Sequence, residues 1–496
     1  MKHLERLRVA LGMVFAAALG LARPAAGATV HVDRATRHQT IEGFGFFGAR
    51  DVWWSDSHKL VDPAWASLVI DDLGVTMWRN EYYPPAAGAP QDADFGKQRS
   101  VALALRERAV ASRVPLKTIL SVWSAPASMK CESDRDAIHE GKPHPGGTKG
   151  GGAVCPSRRD AFAEWLIGGL KLYAGIGIDV YALSLQNEPL FRQSFNSGRY
   201  PQAAYAELLA AVGPRVRAAF PQVKLFGAEN MLEIECGRDG GQFDPWWYTG
   251  NLLARPQALA QLGAFAVHGY TDGVAATPTS KVARLWASYQ AAVAPVQRPV
   301  WMTETSGYVD SWEGGINAKG EPRPGAFDLA QSIFAALYYG KVSAWVWWQG
   351  SSSDPGSEFS LMQGTLVGRR YFASKHFYRF IRPGARMLGT RSDDPEVLAA
   401  AFEHERIGNF VTVLLNVGLA EKSVVLEGNA LPSVLDAHVT SATRILGSTG
   451  TAMRRDAIVL PPRSITTLIS GSYLDQPLRG PSSPQAPAKD TPRRSD

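Results

Sequence analysis

Cysteine is scarce in this sequence. Only three occur in 496 residues, at positions 131, 155 and 236. No two of them stand at metal-ligand spacing, and no H-E-x-x-H motif is present, so nothing outlines a zinc centre. Dense runs of lysine or arginine are missing as well. The formal charge is +6, and setting aside residues 1–28 removes Lys2, Arg6, Arg8, Arg23 and Glu5, which lowers it to +3. So mild a charge on so long a chain lacks the basic footprint of a nucleic-acid binder. Beyond residue 28 no stretch approaches the ~18 consecutive apolar residues of a membrane-spanning helix.

At the N-terminus, Lys2, Arg6 and Arg8 precede an apolar run from Val9 to Ala22, and Ala26-Gly27-Ala28 follows as a small-x-small site. This pattern predicts a secretory signal peptide over 1–28, with Thr29 opening the mature chain and the protein exported, to the periplasm or beyond the cell. Export permits disulfides. Cys131 and Cys155 flank GKPHPGGTKGGGAV, a glycine-rich segment that holds no shape unaided, and a bridge between them would close it. That pairing leaves Cys236 single. With three cysteines the other pairings stay open.

From residue 41 to 384, short β-rich runs alternate with helical stretches. The strands read from the sequence are 41–47, 75–81, 116–123, 180–187, 223–229, 264–270, 299–304 and 343–349. Between them, DAFAEWLIGGLKLYAGIG (160–177) places Phe162, Trp165, Leu166, Ile167, Leu170 and Tyr173 at helical spacing. Eight strands, each followed by a helix, predict an α/β fold, a (β/α)8 TIM barrel. After residue 385 the helical pattern stops. Short strands such as NFVTVLLNVG, ATRILG and ITTLISG, with turn residues between them, predict an appended β-sandwich over 385–474. Residues 29–40 read as a strand that joins this sheet, and the Pro/Ser-rich stretch 475–496 as a disordered tail.

Gly43-Phe44-Gly45-Phe46-Phe47-Gly48 matches the dinucleotide-binding fingerprint letter for letter. That fingerprint needs a helix to open inside it. The following ARDVWWSDSHKLVDP has no 3.6-residue apolar period. The glycines fit better as close-packing positions on the first barrel strand.

In such a barrel the chemistry sits at the C-terminal ends of the strands. The fourth strand ends Gln186-Asn187-Glu188-Pro189 and the seventh ends Thr303-Glu304-Thr305. A carboxylate at the end of an apolar strand is costly to bury without partners. Two of them across one cleft suit glycoside hydrolysis, where one moves a proton and the other attacks the anomeric carbon or activates water.

These motifs resemble clan A of the glycoside hydrolases. Three more are similar to glycoside hydrolase family 30: Gln39-Thr-Ile-Glu-Gly-Phe-Gly45, Trp123-Ser-Ala-Pro-Ala-Ser-Met-Lys130 and Phe380-Ile-Arg-Pro-Gly-Ala-Arg386. The resemblance runs from about residue 30 to 470. It implies Glu188 as acid/base and Glu304 as nucleophile, with Arg79 beside Glu304. The acid must hold its proton near neutral pH, which a nearby negative Glu304 favours. Asn187 is placed to bind the sugar 2-OH, and Tyr270 to hydrogen-bond the nucleophile. His268 ends the same strand as Tyr270. Trp123 and Trp348 stand where sugar rings can lie on aromatic faces. Trp53, Trp54, Trp246, Trp247 and Trp312 are further loop candidates; Trp345 and Trp347 share a parity that suits the core.

Strand eight looks like the xylanase branch of the family, but Gly350, Ser351 and Ser352 stand where two arginines follow in that branch, one of which grips glucuronate. Arg369 and Arg370 lie further on. Trp-Ser-Ala-Pro is nearer to the β-1,6-galactanases. The expected activity is retaining hydrolysis of a cell-wall β-glycan, endo rather than exo, with β-1,4-xylan ahead of β-1,6-galactan or β-1,6-glucan and no clear dependence on glucuronate. A non-catalytic carbohydrate-binding protein on the same scaffold is the competing class. The expected partner is a polysaccharide or oligosaccharide. No cofactor, metal, nucleic acid or membrane is expected, and the chain is expected to act as a monomer.

Overall fold

The computed structural model describes residues 27–48, 62–82, 93–131, 138–139, 142–143, 151–193, 196–237, 241–270, 278, 280–352, 357–446 and 450–471. The leader and the tail read from the sequence therefore lie outside the described residues, apart from Gly27 and Ala28.

Eight parallel strands close into a barrel. They are β2 (Gly43–Phe47), β3 (Met77–Glu81), β4 (Lys117–Ser121), β5 (Val180–Ser184), β6 (Lys224–Met231), β7 (Leu262–His268), β8 (Val300–Glu304) and β9 (Val342–Trp347), following one another around the ring in chain order. β1 (Ala28–Thr40) precedes them. The barrel interior is filled by Met77, Ile119, Phe226, Trp301 and Val346 against small Ala182, Ala264, Ala266 and Ala344. Large side chains thus meet alanines, as close packing requires. Outside the barrel, the helix Arg159–Gly175 buries Phe162, Leu166, Ile167, Leu170 and Tyr173, the stripe that its sequence period gives.

The glycine-rich strand packs against its neighbour and cradles no ligand. A Cβ on Gly45 would lie 1.6 Å from the Met77 carbonyl oxygen, so only glycine lets β2 and β3 approach this closely. No helix opens inside the pattern, because β2 runs through it.

The second domain is a nine-stranded, mostly antiparallel sheet built from β1 and eight strands after the barrel: β10 (Arg386–Ser392), β11 (Val397–His404), β12 (Asn409–Asn416), β13 (Lys422–Glu427), β14 (Val434–Thr440), β15 (Thr451–Arg454), β16 (Ile458–Leu460) and β17 (Ser464–Ser470). β1 runs antiparallel to β10 and parallel to β13. Val30, Leu388, Leu414, Leu426, Leu435, Ile458 and Leu468, from both halves of the sheet, share one core, so the sheet doubles over as a sandwich. Residues 442–446, which the sequence suggests as strand, are irregular. The Ser441 hydroxyl accepts from the Thr443 and Arg444 amides and turns the chain there. The last barrel helix, Arg369–Tyr378, is tied to the sandwich by His376, whose ring nitrogens meet the Thr467 and Thr440 hydroxyls, both at 2.8 Å.

Cys131 and Cys155 form a disulfide, and Cys236 is free and buried. Next to Cys236 lies Glu235, fully buried. It accepts from the Asn230 amide at 2.7 Å and from the backbone amides of Tyr248 and Thr249 at 3.2 and 3.0 Å. Burial outweighs these donors and pushes its pKa up to about 7. Between pH 4.5 and 7 the folded chain therefore keeps a proton that the unfolded chain has lost. Unfolding free energy must fall as pH rises across that window, by on the order of 3 kcal/mol. We expect Glu235→Gln to remove this fall. Urea unfolding of both forms at pH 5 and pH 8 checks it, and equal pH dependence in the two forms is the contrary result.

Candidate active site

Each strand end contributes through backbone that the barrel fixes. The Asn187 amide bonds the Val122 carbonyl at 2.7 Å, Gly269 that of Glu304 at 3.0 Å, and Trp348 that of Thr305 at 2.8 Å. Adjacent strand ends are thereby locked in register, and their side chains converge on one place.

Arg79, at the end of β3, is fully buried and organises the floor. One of its terminal nitrogens, Nη1, donates to Glu304 Oε2 at 2.8 Å. The other, Nη2, donates to Asn187 Oδ1 at 2.8 Å and Glu229 Oε1 at 2.9 Å. His268, also fully buried, faces Glu188 Oε1 through Nδ1 at 3.0 Å and Glu229 Oε1 through Nε2 at 3.4 Å. Tyr270 donates its hydroxyl to Glu304 Oε1. Gln193 Nε2 reaches Glu188 Oε2 at 3.4 Å. One carboxylate oxygen from each of Glu188 and Glu304, together with a His268 ring nitrogen, all lie within 4.8 Å of one another.

Three carboxyls and two cations share this buried volume. Burial alone would lower the His268 pKa, but Glu304, Glu188 and Glu229 raise it to about 9, so the imidazolium donates from both nitrogens. Burial would raise Glu229, yet the Arg79 charge and the His268 hydrogen bond bring it down to about 2. Glu304 is pushed up by burial and by the charge of Glu188, against the pull of His268 and Arg79. Burial and the Glu304 charge lift Tyr270 well above the usual phenol range, so its hydroxyl stays a donor. Glu188 (φ 44°) and Glu229 (φ 58°) both occupy the left-handed region, a conformation that costs a non-glycine residue about 1 kcal/mol or more.

Aromatic rings wall one side. The Phe47 and Trp348 rings lie 4.3 Å apart, Trp123 and Trp348 6.1 Å, and the Arg79 guanidinium sits 4.9 Å from the Trp123 ring centre. Arg79, Trp123, Asn187, Glu188, His268, Tyr270, Glu304 and Trp348, all singled out from sequence, thus stand together. Trp53 and Trp54 lie outside the described residues, and Trp246 is 70% exposed. Trp312 is buried, with its indole N–H on the Arg463 carbonyl of the sandwich. Trp345 and Trp347 are core.

Sequence reasoning passed over Glu229, Ser121, Phe47 and Gln193. Glu229 carried a signal, since it closes the fifth strand as the sequence reads it, 223–229, although the strand itself runs on to Met231. Ser121, whose hydroxyl donates to Glu229 at 3.1 Å, Phe47 and Gln193 carried none.

No family sequence model matches the chain. Over 322 residues it is 26% identical to glucuronoxylanase XynC of Bacillus subtilis (strain 168), covering 62% of this chain and 65% of that relative. The match therefore spans just under two thirds of the length of this curated relative. Among solved structures, a family 30 subfamily 8 xylanase from Clostridium acetobutylicum superposes with a TM-score of 0.67 at 19% identity, over 90% of this chain and 100% of that one. The catalytic domain of xylanase C from Talaromyces cellulolyticus gives 0.67 at 20% identity, over 89% and 99%. An endo-β-1,6-glucanase gives 0.63 at 16%, over 90% and 94%. The chain is thus similar in sequence to a glucuronoxylanase and shares its fold with xylanases of glycoside hydrolase family 30, which supports the resemblance that the ordered motifs carry.

Proposed function

We propose that the protein is an exported retaining β-glycoside hydrolase that cleaves polysaccharide, β-1,4-xylan first. One observation carries this reading: the Glu188 and Glu304 carboxylates approach within 4.8 Å over a common floor. An inverting enzyme needs about 6.5–9.5 Å between its carboxyls to seat a water, whereas a retaining pair stands at about 5–5.5 Å.

In the first step the Glu188 carboxyl gives its proton to the glycosidic oxygen. Glu304 attacks the anomeric carbon from the opposite face, the carbon–oxygen bond to the leaving sugar breaks, and a glycosyl ester forms. Arg79 and Tyr270 hold Glu304 in line, one donor on each of its oxygens. In the second step the Glu188 carboxylate takes a proton from water, the water oxygen attacks the same carbon, and the ester breaks. Two inversions give net retention. His268 faces Glu188 throughout, and Glu229, held ionised, fixes both His268 and Arg79.

Independence from glucuronate is supported by the segment after β9. A Cβ on Gly350 would lie 2.2 Å from the Phe46 ring, and Ser351 and Ser352 are buried. Arg369 donates to the Ser441 and Ala442 carbonyls, and Arg370 to the Tyr308 and Ser357 carbonyls. Neither is available to grip an acidic side group. Export is supported by the leader pattern and by the disulfide. No helix among the described residues is long and apolar enough to cross a membrane.

A panel digest read by product mass tests the reading. We expect products from xylan, alike with and without glucuronate. Products only from β-1,6-galactan or β-1,6-glucan would move the linkage. No products from any β-glycan would contradict the proposal.

A further inference from the structure

At the end of the barrel opposite the carboxylate pair, between the N-terminal strand ends and the sandwich, lies a cavity of about 1480 Å³. Its wall is strongly cationic. Lys117, Arg298 and Lys341 come from the barrel, and Arg386 and Arg406 from the sandwich side. Lys117 donates to the Glu42 backbone carbonyl at 2.7 Å, and Lys341 sits over the Tyr338 ring at 5.1 Å. Among the described residues, none of these five has a carboxylate within ion-pair distance. The carboxylates of the wall are already engaged: Glu42 by Lys224 at 2.7 Å, Glu405 by Arg37 and Glu403 by Arg34.

Concentrating unneutralised cations in one recess is unfavourable without a counter-charge. Burial presses the ammoniums of Lys117 and Lys341 down to about 8. In the same wall, Gln39 and Gln290 each carry a buried side-chain oxygen with no hydrogen-bond partner, an acceptor that wants a hydroxyl donor. The volume exceeds the roughly 300–1,000 Å³ of a site for one small molecule. Spread cations, lone acceptors and an oligomer-sized recess together describe a chain that carries both carboxylates and hydroxyls.

We propose that this cavity is a second carbohydrate site, for uronate-bearing oligosaccharide, separate from the bond-breaking end of the barrel. It would tether acidic stretches of a polymer while neutral stretches reach the carboxylate pair.

Calorimetric titration of the whole protein with tetragalacturonate at low salt tests this. The probe has no β-glycosidic bond, so its failure leaves the hydrolase reading untouched. We expect saturable binding that weakens with salt, while neutral xylotetraose does not compete. Arg298, Arg386 and Arg406 are exposed, and reversing all three (R298E, R386E, R406E) should weaken tetragalacturonate binding about tenfold or more, near 0.5 kcal/mol for each charge, with turnover of neutral substrate and thermal midpoint unchanged. If the triple variant is unstable, Arg298→Ala and Arg406→Ala should each weaken binding about twofold. Absence of binding at millimolar ligand, equal binding by the variants, or equally tight binding of inorganic phosphate would overturn the assignment.

Discussion

Glycine in place of Glu304 is expected to lower kcat on xylo-oligosaccharides by about 10⁴-fold or more, the scale of losing a covalent nucleophile. Azide should then restore turnover and yield the α-glycosyl azide. Glu304 is the carboxylate that Arg79 and Tyr270 hold from both sides. Its removal opens a space on the face of the sugar opposite the leaving group, and a small anion entering there displaces once, with inversion. Loss of a merely structural carboxylate would not create azide-dependent turnover. Activity within tenfold of the parent, or β-configured azide product, counts against the assignment.

Glu188→Ala makes the complementary test. With xylan, whose leaving sugar needs a proton, kcat/KM should fall about 10²–10⁴-fold. With a dinitrophenyl xylobioside the leaving group needs no acid, so kcat/KM should stay within about tenfold of the parent. Attack of water on the ester then lacks its base and limits kcat. Azide needs no base, so it should raise kcat and give the β-glycosyl azide. The two variants thus give opposite anomers with the same anion. An equal loss on both substrates would mean that Glu188 only supports the pocket.

Most of the barrel was legible because its strands are short apolar runs that end in polar groups, and the period of each segment reports its environment. VYALSLQN reads as one strand through residue 187, while β5 ends at Ser184. The three residues after it leave the ladder to turn Glu188 into the pocket, which no period can show. In the sandwich, β14 (Val434–Thr440) gives no strand signal because LDAHVT mixes acid and imidazole into a strand, whereas residues 442–446 of the apolar ATRILG run are held irregular by the Ser441 hydroxyl. Acids at the ends of apolar strands mark the catalytic candidates. Glu229 carries the same mark in the sequence, but only the fold shows it bridging Arg79 and His268. The cationic cavity was not legible at all, since its lysines and arginines are scattered from residue 37 to residue 406 and meet only when the sandwich packs under the barrel.

In the proposed reaction one acid bonds carbon while its neighbour moves the proton. A 2-deoxy-2-fluoro-β-xylobiosyl fluoride should form the ester and hydrolyse it slowly, leaving a label that peptide mass mapping can place. The label is predicted on Glu304, with early product from an ordinary β-glycoside in the β configuration. A label on any other residue, or no label with α-configured product, would contradict it.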